Sequence, residues 1–242
     1  MSLDPTAQFP PERMSAAAKS QSLPLGLMGA AGAALLFLLL AAAVTGGSTA
    51  EVDAAILRAI RELSGGDAAT GALRAAMLDL TALGDSFTLT LVTLVVAGYC
   101  LVARRFGLAV AVAGSISGGA LLVSGLKLLF DRARPDVVTQ LAPIHDASFP
   151  SGHAANSAVI YLTLGVLLAR AESSHRMRIY LVACAILLTL GVGSSRVYLG
   201  VHWPSDVLGG WLFGAGWAAV TGLVVRRLER KGAVRAARVE ER

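Results

Sequence analysis

The stretch Phe149-Pro150-Ser151-Gly152-His153 runs directly into an apolar segment, 154–169, that is long and periodic enough to form a helix. The first turn of a helix presents unpaired backbone N–H groups and the positive end of a dipole, and Gly152 leaves space above them, so this turn can bind an anion. His153 lies beside that position and Ser151 can add a hydroxyl. Because serine at a helix start is more often only an N-cap, the interpretation depends on the flanking sequence.

The composition predicts a membrane protein. The chain has 242 residues, of which 55% are hydrophobic and 15% charged, with a mean hydropathy of +0.65. Soluble domains carry about 25% charged residues. Six apolar segments approach the ~20 residues that a spanning helix needs: 25–45, 87–103, 107–129, 154–169, 179–194 and 207–225. The predicted fold is therefore an all-α bundle of six transmembrane helices. The fourth and fifth segments are short and span only if lengthened at their ends.

The positive charge is concentrated in every second connection between the predicted spans, and this pattern indicates the orientation of the chain in the membrane. Arginine and lysine cluster at 13–19, 104–105, 170–178 and 226–242. The positive-inside rule makes this side cytoplasmic and predicts that both termini are inside. The net charge of +5 could suggest nucleic acid, but no basic surface with interleaved aromatic residues is present. We therefore expect no nucleic-acid partner.

The sequence predicts three regions along the chain. Residues 1–24 are polar and proline-rich and predict a disordered cytoplasmic tail, 25–227 form the membrane domain, and 228–242 form a basic cytoplasmic tail. Val52, Ile56, Ile60 and Leu63 recur at helical spacing in the outer connection 49–85, which predicts amphipathic helices on the membrane surface. This connection is either a wall or lid beside a site or a plain connector. A signal peptide at the first span is disfavoured by the length of its apolar run.

Polar residues are concentrated in three outward connections that the topology places at one membrane face. Charged side chains near hydrocarbon are costly, so they indicate a functional site. They are Lys127, Asp131, Arg132 and Arg134 after the third span, Ser151, Gly152 and His153 at the fourth, and Ser195, Arg196, His202 and Asp206 between the fifth and sixth.

The three cations Lys127, Arg134 and Arg196 favour a phosphate ligand. Each alone could be an interfacial anchor. Together with a helix N-terminus, they would neutralise a phosphate dianion, with forked donors from arginine and a point charge from lysine.

His202 and Asp206 are four residues apart and form a candidate nucleophile pair. Pro204 suits the first turn of a helix, which would direct Asp206 back towards His202. A carboxylate on one ring nitrogen fixes the tautomer and makes the other nitrogen more nucleophilic. His153 is then a second imidazole that can protonate a leaving oxygen.

These motifs resemble the tripartite signature of the type 2 phosphatidic acid phosphatase (PAP2) superfamily. They are Lys127-x6-Arg134-Pro135, then Pro150-Ser151-Gly152-His153, then Ser195-Arg196-x5-His202-x3-Asp206. Their order and internal spacing match the family pattern, and the six spans extend the likeness over most of the chain.

The resemblance implies a role for each motif residue. His202 would attack phosphorus and form a phosphohistidine, Asp206 would orient it, and His153 would protonate the leaving group and later activate water. The phosphate would be bound by Lys127, Arg134, Ser151, the Gly152 backbone N–H and Arg196. No metal ion or other cofactor is implied.

The expected protein is a lipid phosphatase of the bacterial cytoplasmic (inner) membrane with its site facing the periplasm or exterior. Undecaprenyl diphosphate is the first expected substrate, with phosphatidate and phosphatidylglycerophosphate as alternatives. A lipid phosphotransferase, a phosphatase of soluble phosphomonoesters and a non-catalytic lipid-phosphate binding or transport protein stay open. The soluble haloperoxidases of the superfamily are disfavoured by the apolar spans. The oligomeric state is left open.

Overall fold

The structure is a computed structural model. It describes residues 11–65, 71–142 and 146–230, with side chains from residue 26 onwards. Within these ranges the chain is helical and contains no strand. The elements are α1 Pro11–Thr45, α2 Ala50–Leu63, α3 Ala72–Ala82, α4 Ser86–Val102, α5 Phe106–Phe130, α6 Gly152–Ser157, a π-helical turn Ala158–Leu162, α7 Thr163–Ala171, α8 His175–Tyr198 and α9 Pro204–Arg230.

The predicted bundle of membrane-spanning helices is confirmed. Among the described residues, five helices are long and apolar enough to cross a membrane: Gly26–Thr45, Phe106–Phe130, Gly152–Ala171, His175–Tyr198 and Pro204–Arg230. Helices α3 and α4 meet at a bend of 46° and pass the same test of length and composition only as a pair, so the number of spans is six if the bent pair counts as one. The fourth and fifth spans extend beyond the apolar segments at both ends, which gives them the length that the hydropathy pattern alone lacked.

Helix α1 begins at Pro11, well before the first predicted span. The segment 11–24, expected to belong to a disordered tail, is therefore helical here. Proline fits the first helical position, and the glutamate, arginine, methionine and alanine residues that follow have high helix propensity. Residues 1–10 and 231–242, the remainder of the two predicted tails, lie outside the described residues.

Helix α9 is the central packing element and contacts both α1 and α6. Its approach to the π-helical turn and α6 depends on glycine. A Cβ added at Gly214 would lie 2.3 Å from the Cβ of Ala158, and one at Gly210 would lie 2.9 Å from that of Ala154. The backbones are therefore almost in contact, which brings the first turns of α6 and α9 side by side.

The outer connection contains two helices, α2 and α3, as the periodicity predicts. Helix α2 packs on the bundle through Asp53, Leu57 and Arg61, which are buried, whereas Val52 and Leu63 are exposed. Most of the apolar stripe is thus exposed on the protein surface, and the adjacent stripe of Asp53, Leu57 and Arg61 holds α2 on the bundle. An interfacial position for α2 and α3 stays a prediction.

The close approach at Gly214 can be tested by substitution. Gly214→Ala should lower the melting temperature in detergent, because overpacking of a tight contact typically costs about 1–3 kcal/mol. Gly114→Ala is the matched control, since a Cβ there meets no atom within 4 Å among the described residues. Its expected effect is neutral or slightly stabilising. Equal melting temperatures for the two variants would contradict the packing described here.

Candidate active site

The three motif regions meet at one end of the bundle around a cavity of about 340 Å³. Of the motif residues, Lys127, Arg134, Gly152, His153 and His202 line this cavity. Gly84, Ser86, Val123, Ser124, Asp146 and Asn156 complete the lining. The cavity is therefore surrounded by two imidazoles, two cations and the first turn of the helix that starts at Gly152.

His202 and Asp206 form a buried pair at the start of α9. The helix begins at Pro204, and Asp206 turns back so that its Oδ2 lies 3.5 Å from Nδ1 of His202. The same oxygen accepts hydrogen bonds from the Trp203 backbone N–H at 2.8 Å and the Ser148 hydroxyl at 2.5 Å. A carboxylate fixed in this way orients the imidazole with Nδ1 towards it.

The opposite nitrogen of His202, Nε2, lies 3.3 Å from Nη1 of Arg134. A guanidinium can only donate a hydrogen bond. Nε2 is therefore the unprotonated acceptor of this contact, and Nδ1 carries the hydrogen that faces Asp206. This tautomer leaves a lone pair on the nitrogen at the cavity.

Burial favours the neutral form of His202. Desolvation lowers the pKa of His202 to about 4, an effect that Arg134 and Arg196 reinforce and Asp206 opposes. The ring is therefore uncharged at neutral pH, as a nucleophile must be.

Lys127 and Arg134 are held by one exposed carboxylate, Asp146. Lys127 Nζ donates to Asp146 Oδ2 at 2.6 Å, and Arg134 Nη2 donates to Oδ1 at 2.5 Å. Burial opposes the ionisation of Asp146, but the two cations outweigh it and lower its pKa to about 2. An anion thus already bridges the two cations that were expected to bind phosphate. His145 precedes Asp146 in the sequence, which predicts a solvated loop side chain there; it lies outside the described residues.

Ser151 and Arg196 are buried and do not line the cavity. The Ser151 hydroxyl accepts a hydrogen bond from Ala154 N at 3.5 Å, so it serves as the N-cap of α6. Arg196 donates from Nη1 to the Thr81 hydroxyl at 2.8 Å. Its Nε and Nη2 have no hydrogen-bond partner in the part of the chain that the structure describes. Both donors are therefore buried and unsatisfied among the described residues.

A buried polar network behind Asp206 was not predicted from the sequence. Arg132 donates to Asp206 Oδ1 at 2.6 Å, to Asp53 Oδ2 at 2.9 Å and to the Ser205 hydroxyl at 2.7 Å. Asp53, from α2, also accepts from the backbone N–H and hydroxyl of Ser205. Arg132 had been noted only as one of the charged residues near the third span. Asp53 had no signal other than a charge within an amphipathic helix.

A family model described as the PAP2 superfamily matches residues 103–230, which is more than half of the chain. The chain belongs to this superfamily. It is 35% identical over 192 residues to the phosphatidylglycerophosphatase B of Bacillus subtilis, and the match covers 74% of this chain and 86% of the relative. A shorter match, 37% identical over 86 residues, is to the undecaprenyl-diphosphatase of Sulfolobus acidocaldarius, covering 36% of this chain and 37% of that protein.

A solved structure has the same fold as this PAP2 protein. The transmembrane PAP2 phosphatidylglycerolphosphate phosphatase of Bacillus subtilis superposes with a TM-score of 0.76 at 28% identity, covering 84% of this chain and 98% of the other. The protein is therefore a multi-pass membrane phosphatase of the PAP2 superfamily, as its motifs predicted.

The Arg132 network should support both stability and turnover. Arg132→Gln leaves the carboxylates of Asp53 and Asp206 without their cation, and breaking a buried ion pair costs roughly 3–5 kcal/mol. We expect a lower melting temperature and a lower kcat. Asp53→Asn in the same background should recover part of the stability, because one uncompensated charge is removed. Arg58→Gln, at an exposed position of α2, is the control, and equal effects of the two arginine substitutions would contradict the network.

The buried neutral His202 should make the protein less stable in acid. Its folded pKa of about 4 lies below the unfolded value of about 6.5, so the unfolded state binds more protons between these values. The stability that the protein gains from keeping His202 neutral is fully present above about pH 6.5 and is lost as the pH falls towards 4. The melting temperature of the wild type should therefore fall more steeply over this window than that of His202→Asn. Parallel curves would contradict the assignment.

Proposed function

We propose that the protein hydrolyses phosphate esters of membrane lipids through a phosphohistidine on His202. The observation that supports this most strongly is the state of the His202 ring. Its Nε2 is unprotonated beside Arg134 at the cavity, while Nδ1 faces the buried carboxylate of Asp206. Few roles other than nucleophilic attack require an imidazole oriented in this manner within a cationic cavity.

In the first step, Nε2 of His202 attacks phosphorus and the bond from phosphorus to the leaving oxygen breaks. His153 donates a proton to that oxygen, so the lipid leaves as a neutral hydroxyl. Lys127, Arg134 and the unpaired donors of Arg196 bind the remaining phosphoryl oxygens. Asp146 must first give up Lys127 and Arg134, because its carboxylate occupies their donors.

In the second step, water attacks the phosphohistidine and the bond between phosphorus and Nε2 breaks. His153, now neutral, accepts the proton of the attacking water and is ready for another cycle. Fixed positive charge stabilises the transferred phosphoryl group in both steps. Because lysine and arginine supply this charge, the proposed chemistry needs no metal ion.

An apolar groove beside the cavity supports a lipid substrate. This groove, of about 330 Å³, lies between α4, α5 and the π-helical turn and is lined by residues such as Leu89, Thr93 and Ile116. Ser86 and Asn156 line both the groove and the catalytic cavity, so the two spaces adjoin. A lipid can thus place its phosphate among the cations with an apolar chain between the helices.

Phosphatidylglycerophosphate is the best supported substrate. The Bacillus subtilis relative, of which 86% is covered by the match, is a phosphatidylglycerophosphatase. The solved structure that superposes with a TM-score of 0.76 is also a phosphatidylglycerolphosphate phosphatase. Undecaprenyl diphosphate, the first choice from the sequence, becomes the second candidate because its namesake relative matches over a much shorter region. We further propose that the site faces the outer side of the bacterial cytoplasmic membrane, with both termini in the cytoplasm.

Phosphate release by the detergent-purified protein tests this proposal. Phosphatidylglycerophosphate, undecaprenyl diphosphate, phosphatidate and glucose 6-phosphate should be compared at equal concentration with EDTA present. We expect hydrolysis of the lipid substrates, fastest for phosphatidylglycerophosphate, and only residual turnover by His202→Ala. His175→Ala is the matched control, because this histidine begins α8, away from the motifs.

Substantial activity of folded His202→Ala would place the nucleophile elsewhere. A preference for glucose 6-phosphate would contradict the lipid assignment, and inactivation by EDTA would contradict the metal-independent mechanism.

A further inference from the structure

The corner between α3 and α4, residues 81–86, brings polar groups to the site from outside the three motifs. The two helices meet there at 46°. The family model's match begins only at residue 103, so the corner lies outside the region that identifies the superfamily. Nevertheless, Gly84 and Ser86 line the catalytic cavity.

Two contacts hold this corner against the helices that carry the motifs. The Tyr161 hydroxyl, from the π-helical turn, donates a hydrogen bond to the Leu83 carbonyl at 2.6 Å. At Gly84, an added Cβ would lie 2.4 Å from Cγ1 of Val192 and 3.3 Å from Cδ2 of His153. The backbone of the corner is thus fixed directly beside the His153 ring.

The next residue, Asp85, contacts that ring. Its Oδ1 lies 2.6 Å from Nε2 of His153. The charged neighbours that act on His153 from the packed helices are cations, Lys127 of α5 and Arg196 of α8. These cations repel an imidazolium, whereas the carboxylate of Asp85 attracts it. The site thus contains a second carboxylate–histidine pair besides Asp206 and His202.

We propose that Asp85 is a positioning residue for the acid–base step, which orients His153 and stabilises its protonated form. The inference rests on the proposed function and deepens it. His153 must begin the first step as an imidazolium, lose one proton to the leaving oxygen, and regain one from the attacking water. Asp85 stabilises the charged ring before the first step and after the second.

The same corner orients a phosphate-binding residue. The Thr81 hydroxyl accepts a hydrogen bond from Nη1 of Arg196 at 2.8 Å, and Thr81 is itself buried. Because this contact uses Nη1, the remaining donors of the guanidinium are left for an anion. The break between α3 and α4 therefore supports both the acid–base histidine and one of the cations.

Asp85→Asn tests the proposal, because it keeps the side-chain shape and removes the charge. On phosphatidylglycerophosphate we expect kcat to fall by about 10- to 100-fold, no more than the lower end of the ~10²–10⁴-fold that general acid–base catalysis contributes, because His153 itself is retained. We expect KM to change by less than about threefold. The alkaline limb of the pH profile of kcat/KM should move to lower pH, because the imidazolium has lost its counter-charge. Asp85→Glu, which keeps a carboxylate, should retain the wild-type limb.

A substrate whose leaving group needs little protonation separates this role from a structural one. With p-nitrophenyl phosphate, the loss caused by Asp85→Asn should be several-fold smaller than with the lipid ester. Asp79→Asn, an exposed substitution on α3 with the same charge change, should match the wild type in all assays. Melting temperatures in detergent establish that each variant is folded.

Wild-type kinetics for Asp85→Asn would overturn the proposal, as would an equal loss with both substrates and an unmoved pH profile. Failure of the wild type to release phosphate from any substrate would instead overturn the proposed function, and this inference with it.

Discussion

The buried carboxylate of Asp206 is the interaction on which the rest of the site depends. It lies in the first turn of α9, where it contacts His202, the Ser148 hydroxyl, the Trp203 backbone and Arg132. A buried carboxylate is costly unless charged and hydrogen-bonding partners surround it. Satisfying Asp206 therefore requires three separate segments to converge at the end of α9, and their convergence builds the cavity.

The outer connection between α1 and α4 belongs to this arrangement. Arg132 donates hydrogen bonds both to Asp53 of α2 and to Asp206. The Ser205 hydroxyl also donates to the carboxylate of Asp53. At the other end of the connection, Thr81 and Asp85 contact Arg196 and His153. The sequence allowed either a plain connector or a wall beside the site. The contacts favour the second interpretation, because polar side chains from this connection contact His153 of the second motif, Arg196 of the third and Arg132 within the spacer of the first.

Glycine makes the convergence possible within the bundle. The contacts of Gly210 and Gly214 with α6 and the π-helical turn bring the start of α9 against the turn that carries Gly152 and His153. The Ser151 backbone N–H then donates to the Asp206 carbonyl at 3.0 Å. The helix packing and the catalytic geometry are therefore consequences of the same close approach.

Much of this arrangement could be predicted from the sequence, because it depends on local patterns. Hydropathy located the spans, and the spacing of Pro204 and Asp206 predicted that the carboxylate turns back towards His202. The Ser151 hydroxyl caps α6, and its assignment to phosphate stays a prediction.

What could not be predicted depends on distant parts of the chain. The partners of Asp53, Asp85 and Asp146 are distant from them along the sequence or are brought to them by a loop. No sequence pattern indicates which basic residue will pair with an acidic residue in an outer connection. The burial of Asp53 and Arg61 in α2 was not predicted for the same reason, since hydropathy does not reveal their polar partners.

The most direct test of the central claim is to trap the covalent intermediate. Phosphatidylglycerophosphate labelled with ³²P in its terminal phosphate would be mixed with the enzyme, quenched within milliseconds in base, and the labelled peptide sequenced. The account predicts label on His202, absent in His202→Ala and accumulating in His153→Ala if the impaired base slows hydrolysis more than formation. Label on another residue, or rapid turnover of this substrate with no covalent phosphoenzyme under any quench, would contradict it.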